Sequence, residues 1–517
     1  MESSEKDMVF RKGQDVTKVN FKDFAMFTPR NRSLFYKCVV FVILLSFSLW
    51  TAGRWTDSLD DSLKKTSRRN ILNHYLQRTN FSTKGRISTW KKTKHRGINV
   101  AKNTPQHPVL VWWAPVSGMK DHLITCDGKQ CDVSVKRGLK HDPSVRAFLF
   151  YGTEFEFSQL PLPRFPHHLW ALEHDESPKN NDFIFSHEEV LSLFNFTSTF
   201  KRESSYPLAT MALPSVEWLK SMEFFLTANQ KNNLQNEKRL APVVFVHSDC
   251  NVPSGRDTYL KLLQKYVKVD VYGRCHANKK LPDHLQGMEK YQDKAFFRFL
   301  AQYKFAFAFE NAVCDDYMTE KLWRPLHLGV VPIVFGSPKV KEFLPSEKSA
   351  LVVEDFSSVR NLGKTITLLD ENDYIYEEYT SFKREGITNE NLLKILKDRE
   401  WSVSGMDRSK KFHNHFSGFE CFMCGKIHEN IHRENERKPP VMSVARKDHY
   451  GCPRPKNFND QGQYVENNKG YDSVYTKSLY NAVAFRHFYD TNNITYTNKD
   501  VTGLADLLQR HDRKNSL

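Results

Sequence analysis

The sequence predicts an α/β protein in which two domains of parallel βαβ units face one another behind a single N-terminal membrane anchor. Between residues 243 and 369, strand-length apolar runs alternate with helical patterns of about ten residues, the signature of βαβ units. A second, looser set of apolar strands lies at 109–114, 147–151 and 169–172, separated by polar loops. An uncharged run at 38–53 stands alone between basic, polar flanks. The chain has 517 residues, 40% apolar and 13% aromatic, which is material for two cores.

Residues 1–37 read as a cytosolic tail, because thirty-seven residues before the apolar run are too many for a secretory leader. The run at 38–53, CVVFVILLSFSLWTAG, follows Arg32 and Lys37 and carries Trp50 at its far edge. It has no neighbour to pack against as a core helix, so an uncleaved signal-anchor is preferred to a cleaved leader or a buried helix. The protein is therefore expected to be a single-span type II membrane protein. Residues 54–105 form a basic, flexible stem: Arg54 to Lys102 holds thirteen Lys or Arg against three Asp. The formal net charge of +16 comes largely from this stretch. No aromatic platform or recognition helix accompanies the charge, which excludes nucleic acid as the expected partner.

Beyond the stem, 106–241 is expected to be an N-terminal domain and 242–400 a C-terminal one. The second has strands at 243–247, 267–272, 304–309, 330–335 and 350–353, with helices at 257–266, from Thr319, and at 359–369. Residues 401–440 contain Cys421-x-x-Cys424, and 441–517 turn rich in Asn, Lys, Asp and Pro, which reads as a polar extension with little core. Outside the span there are eight cysteines: Cys126, Cys131, Cys250, Cys275, Cys314, Cys421, Cys424 and Cys452. An even number suits disulfides in an oxidising lumen, with about 105 pairings open. Cys421 and Cys424 with His428 and His432 can also be written as a zinc site. Sequons at Asn80, Asn195 and Asn493 are glycosylation candidates.

The chemistry concentrates in Phe307 to Gly336, FAFENAVCDDYMTEKLWRPLHLGVVPIVFG. A strand with Phe305, Phe307 and Phe309 on one face delivers Glu310 and Asn311 past its carboxyl end, where open α/β sheets hold ligands. Thr319, Glu320 and Lys321 then open a helix, placing a cation and free backbone N–H groups where a phosphate can sit. There is no Gly-x-Gly-x-x-Gly and no P-loop, so dinucleotide redox chemistry and Walker-type NTP hydrolysis lose their supports. No Asp-x-Asp occurs either, so a diphosphate would be neutralised by cations such as Arg274 and Lys321, without an essential divalent metal or other cofactor.

The segment resembles the signature of the α1,3-fucosyltransferase family, in which Phe-x-Phe-Glu-Asn, Asp-Tyr-x-Thr-Glu-Lys and Gly-x-x-Pro-(Val/Ile) recur at this spacing. Further matches are Glu176-Ser177-Pro178, Leu193-Phe194-Asn195 with Arg202 downstream, and Val269 to Arg274. LPLPR, ESPKNN and ENAVCDDY are most similar to the divergent vertebrate branch numbered ten and eleven, whose members are regarded as fucosylating protein hydroxyls, notably in EMI-type domains. Ala312 stands where the family has Ser, and Cys314 enters the same loop.

The resemblance implies a GT-B fold of two facing Rossmann-like domains and inverting transfer of L-fucose from GDP-fucose to a glycoprotein acceptor. That acceptor would be an N-glycan GlcNAc through an α1,3 linkage, or a Ser/Thr hydroxyl as in the nearest branch. It further implies Glu176 as general base, Arg202, Arg274 and Lys321 at the diphosphate, Tyr317 and Glu320 at fucose, ribose or phosphate, and Glu310 and Asn311 on the floor. Family precedent also pairs Cys126 and Cys131 with Cys421 and Cys424. The expected address is the Golgi membrane, with the endoplasmic reticulum as alternative. The competing functional class is a catalytically silent lumenal binding module on the same fold.

Overall fold

Two mostly parallel sheets organise the chain in the computed structural model, which describes residues 107–491 and 496–515. The first contains β1 (Val109–Ala114), β2 (His122–Cys126), β3 (Lys129–Ser134), β4 (Val145–Tyr151), β5 (Leu169–His174) and β6 (Phe196–Thr199), in the order β2-β3-β1-β4-β5-β6. Only the β2–β3 pair is antiparallel. Its turn is Asp127-Gly128, both at positive φ (51° and 77°), the backbone a tight hairpin requires. The second sheet is wholly parallel: β7 (Val243–Val246), β8 (Val269–Tyr272), β9 (Phe305–Phe309), β10 (Val331–Phe335) and β11 (Leu351–Val352), in the order β11-β10-β9-β7-β8.

Strands β1, β5, β9 and β10 are buried along their whole length, as expected of parallel strands covered on both faces. In the second sheet the chain runs from β7 to β8 at one edge, then returns to lay β9 on the other side of β7. This reversal opens a crevice at the carboxyl ends of β7 and β9, the position where such sheets bind ligands. The α/β class and parallel sheets match the expected architecture, and the expected strands of the second sheet agree to within two residues at either end.

The 401–440 segment crosses back to the first sheet. Helix His415–Asn435 packs over β2 and β3, and Trp401, Phe419, Met423 and Ile427 join that sheet's core. Disulfides Cys126–Cys421 and Cys131–Cys424 fasten it, as the family precedent implied; Cys250–Cys275 and Cys314–Cys452 complete the eight. The zinc alternative is thereby corrected: both sulfurs of the CxxC are in disulfide bonds, leaving no thiolate to bind a metal.

The expectation of a polar extension with little core after 441 is also corrected. Strands β12 (Lys456–Phe458) and β13 (Tyr464–Asn467) form a hairpin, and helices Lys469–Asp490 and Asn498–Asn515 pack on each other. Phe458 lies against Tyr259 and Phe335, at ring-centroid distances of 4.6 and 4.8 Å, so the hairpin extends the second sheet's core. Helix Lys469–Asp490 packs on the first sheet's side, where Phe485 meets Phe157 at 4.7 Å and His187 Nε2 lies 2.6 Å from Ser478 Oγ. The buried face of this helix is Ser478, Tyr480, Ala482, Ala484, Phe485 and Phe488, a mixture of small and aromatic residues without the aliphatic stripe that periodicity detects.

Asn195 is likewise corrected as a glycosylation site. It is 5% exposed; its Oδ1 accepts from Trp170 N and Arg164 Nη2, and its Nδ2 donates to Ser443 O. A glycan has no room there, and attaching one would unpair these buried groups. Asn80, Asn493, the run at 38–53 and the stem lie outside the described residues. Among the described residues no helix is long and apolar enough to cross a membrane.

Replacing Phe485, which is fully buried, with Ala should lower stability by about 3 kcal/mol in urea unfolding. Tyr374→Ala, at a side chain 81% exposed, should stay within about 0.5 kcal/mol of the parent. Equal effects at the two positions would restore the view of an extension with little core.

Candidate active site

Two helix starts converge on the crevice between β7 and β9. After β9, a loop leads to helix Glu320–Leu328, capped by Thr319. After β7, a loop leads to helix Arg256–Leu263. The loops are joined by Ser254, whose N–H donates to Asn311 O at 3.0 Å and whose Oγ donates to Glu310 O at 2.7 Å. Two helix starts and two cations, Arg256 and Lys321, thus belong to one floor.

Glu310 is buried at the end of β9. It accepts from Thr319 N (2.7 Å) and Thr319 Oγ1 (2.9 Å), and Lys321 Nζ lies 3.4 Å away. Burial raises its carboxyl pKa while Lys321 and the Thr319 hydrogen bonds oppose that rise. Lys321 is 3.3 Å from Glu320 as well, and these two acids hold its pKa above the usual lysine value despite desolvation. For Glu320, desolvation acts upward, but Lys321 and Arg324 outweigh it and keep the carboxyl at about 2. Its side chain is 42% exposed, so this carboxylate is ionised and open to a ligand.

Glu176 follows the end of β5 in the first sheet and faces these groups. Burial first, then the negative charge of Asp175, push its carboxyl up to about 7, with Glu320 and Glu310 adding to the rise and Lys321 opposing it. Those couplings place the carboxyl within electrostatic reach of the second sheet's floor. Tyr317, fully buried, sits between the two halves: its ring lies 4.9 Å from Phe200, and Glu310 and Glu176 help hold its hydroxyl protonated after desolvation. Beneath Glu176, Asp175 accepts from Tyr151 OH at 3.1 Å, and His415 lies 3.2 Å from fully buried Glu173.

The structure therefore brings together Glu176, Glu310, Tyr317, Glu320 and Lys321, and it places three other expected residues differently. Arg202 is not a free cation. Its backbone N–H and guanidinium bind Asp316 (3.0 Å), a further nitrogen binds Glu342 (2.6 Å), and it joins the end of β6 to the 315–317 loop. Arg274 is exposed and donates to Ser248 O at 2.8 Å, at the rim beyond β8. Gly273 sets this turn at φ +100°, where a Cβ would come within 2.2 Å of His247 O. Asn311 contributes its backbone carbonyl to the loop seam, and its Oδ1 is buried without a hydrogen-bond partner.

Arg256 is the functional residue that sequence reasoning missed. It is 2% exposed; Nη1 and Nη2 donate to Phe309 O (3.3 Å) and Asp249 O (2.7 Å), while Nε has no partner. A buried guanidinium with a spare donor beside Lys321 makes an anion site. The available signal was its place at a helix start directly after Ser254-Gly255, downstream of a strand.

Gly336 follows β10, and a Cβ there would lie 2.8 Å from Glu310 Cγ. Because Glu310 is pinned by Thr319 and Lys321, Gly336→Ala should cost about 1–3 kcal/mol of stability in denaturant titration. An unchanged midpoint would mean that Glu310 is free to move.

Comparisons with known proteins agree on one family. The model described as "Glycosyltransferase family 10 (fucosyltransferase) C-term" matches residues 235–440, and "Fucosyltransferase, N-terminal" matches residues 104–209. The chain is 45% identical to GDP-fucose protein O-fucosyltransferase 3 of Gallus gallus over 369 residues, 71% of this chain and 76% of that protein. It is 45% identical to the Homo sapiens protein of the same name over 353 residues, 68% of this chain and 72% of that one. A crystal structure of an alpha1,3-fucosyltransferase with GDP aligns at TM-score 0.35 and 15% identity, covering 63% of this chain and 92% of that one.

Proposed function

The chain belongs to glycosyltransferase family 10 and is a fucosyltransferase, and from that premise we propose that it moves L-fucose from GDP-fucose onto a protein Ser/Thr hydroxyl with inversion, using Glu176 as general base. The observation that carries this reading is the meeting of a carboxyl poised near neutrality at the end of β5 with a two-cation floor at the β7–β9 crevice. The relatives' names, which specify protein O-fucosyl transfer, favour a hydroxyl of the polypeptide over an N-glycan GlcNAc as acceptor.

The step balances as follows. The acceptor oxygen attacks the anomeric carbon of fucose, and the new C–O bond forms on the face opposite the departing phosphate. The bond from that carbon to the β-phosphate oxygen breaks, and its electron pair leaves with GDP. The hydroxyl proton passes to the Glu176 carboxylate. Lys321, Arg256 and the positive ends of the two helices receive the growing diphosphate charge, with Arg274 at the rim. With this charge supplied by side chains and backbone, an essential divalent metal has no task to perform. Glu320, held ionised, is suited to hydrogen bonds from sugar or ribose hydroxyls, and Tyr317 closes the floor beneath them. A silent binding module would not require the carboxyl of Glu176 to be kept near its working pH, so the enzyme reading is preferred.

We place the reaction in a lumenal compartment, the Golgi or alternatively the endoplasmic reticulum, reached through the 38–53 anchor. The four disulfides support an oxidising setting.

Purified protein should release GDP from GDP-fucose in step with fucose appearing on Ser or Thr of a folded acceptor domain. Glu176→Gln should lower kcat by about 10²–10⁴-fold while KM for GDP-fucose stays within about threefold. GDP binding without transfer to any folded domain or N-glycan acceptor would overturn the enzyme assignment. Since the base works deprotonated, kcat/KM should climb roughly tenfold per pH unit below a limb at about 7 and level off above it. A limb at the ordinary carboxyl value of 4.5 would separate Glu176 from that role.

A further inference from the structure

The chain beyond residue 440, where the family matches end, enters the site from the side of the first sheet. It runs along β6: Asn195 Nδ2 donates to Ser443 O at 2.9 Å, Ala445 N to Phe194 O at 2.9 Å, and Thr199 Oγ1 to His449 O. Thr197 Oγ1 also lies 3.1 Å from His449 Nδ1. This course delivers Tyr450, fully buried, beneath the turn that carries Glu176.

The Tyr450 hydroxyl is engaged both as donor and as acceptor. It donates to the backbone carbonyl of Glu176 at 3.0 Å and accepts from Asn181 Nδ2 at 2.8 Å. Its ring packs against Phe200 and His174, each at 5.2 Å between centroids, and Phe200 in turn packs on Tyr317. Two residues later, Cys452 is bonded to Cys314 in the loop that leads to Tyr317. One short segment thus holds the peptide of Glu176 on one sheet and is covalently fixed to the donor-side loop of the other.

We propose that Tyr450 is a positioning residue for fucosyl transfer, fixing the backbone of Glu176 over the donor floor, with the Cys314–Cys452 bond fastening this strut to the floor itself. The proposal rests on Glu176 being the general base. A base must lie within hydrogen-bond reach of the acceptor hydroxyl, and a displacement of about 1 Å costs on the order of a hundredfold in rate. Glu176 and the floor belong to different sheets, so their separation depends on a link that touches both.

Tyr450→Phe in the full-length protein keeps the ring and removes the hydroxyl, leaving the Glu176 carbonyl without its donor. Expected are a kcat lower by about tenfold, KM for GDP-fucose within about twofold, and an acid limb displaced below 7, toward 4.5, as the freed turn admits water. The charged groups that set that limb, Asp175, Lys321, Glu320 and Glu310, are untouched by the substitution. A wild-type kcat and limb, or a loss of activity that follows thermal stability with the limb unmoved, would overturn the proposal. Should Tyr450→Phe not accumulate as folded protein, Asn181→Ala removes the hydroxyl's other partner and is read the same way: a shifted limb with reduced kcat supports the role, and wild-type behaviour ends it. Glu176→Gln is run in parallel. If it keeps wild-type turnover, the base assignment falls and takes this proposal with it; if it is inactive while Tyr450→Phe is normal, only the role of Tyr450 falls.

Discussion

Compensation of one buried carboxyl, Glu310, dictates the arrangement around the crevice. Leaving an acid uncompensated at the end of a buried strand would cost several kcal/mol. The chain answers with Thr319, whose N–H and hydroxyl both bind the carboxyl, and with Lys321 two residues later. These partners lie at the beginning of helix Glu320–Leu328, so satisfying Glu310 also docks that helix start against β9. Its positive end and its lysine then belong to the crevice as a consequence. The close approach of β10 follows from the same packing, which is why residue 336 has no room for a side chain.

The two sheets are held in relation by bonds that an isolated domain could not make. Asp316, fully buried and at φ +62°, receives the backbone and guanidinium of Arg202 from the far end of β6. Such a pair is weak evidence for net stability, since desolvation offsets much of the attraction. It is stronger evidence for geometry, because removing Arg202 strands the buried charge of Asp316. The extension adds apolar contact to both halves, through Phe458 against the second sheet's core and Phe485 against the aromatic group beside the first. A cleft assembled from two domains would ordinarily hinge. Here an ion pair, a disulfide and a helical buttress cross or flank the hinge region.

Local regularities were legible in the sequence, while contacts between distant segments were not. The second sheet's strands stand where periodicity puts them, and the placement of Glu310 and Lys321 followed from counting residues past a strand into a helix. Glu176, Tyr317 and the CxxC pairing came from motif resemblance. Arg202 was expected to be free for the diphosphate because a motif match says nothing about which acid claims a cation first; Asp316 lies 114 residues from Arg202. Arg256 was not singled out, because nothing in its local sequence shows that the helix start after β7 turns it inward. The sequon at Asn195 is a local pattern blind to burial. The extension escaped notice because its helix buries alanines and a serine between aromatics, giving little contrast between its faces.

The titration behaviour of the site's acids suits the proposed reaction, in which one cleft binds a diphosphate leaving group and removes a proton. Glu320 lies beside Lys321 and Arg324, so its charge is stabilised and its carboxylate has little affinity for a proton. Glu176 is also desolvated but has Asp175 beside it and only Lys321 opposing, so its charge is penalised and its proton affinity rises. Carboxyls of the same chemical type are thereby pushed about five units apart, the kind of separation that divides acid–base work from ligand holding. The separation comes from burial and Asp175 at Glu176 and from Lys321 and Arg324 at Glu320. In the proposed reaction, moving Glu176 away from the floor would take it out of reach of a hydroxyl attacking a sugar held there. A general base at Glu176 would therefore need a fixed place relative to the floor, and the Tyr450 hydroxyl on its carbonyl and the Cys314–Cys452 bond are contacts suited to provide it.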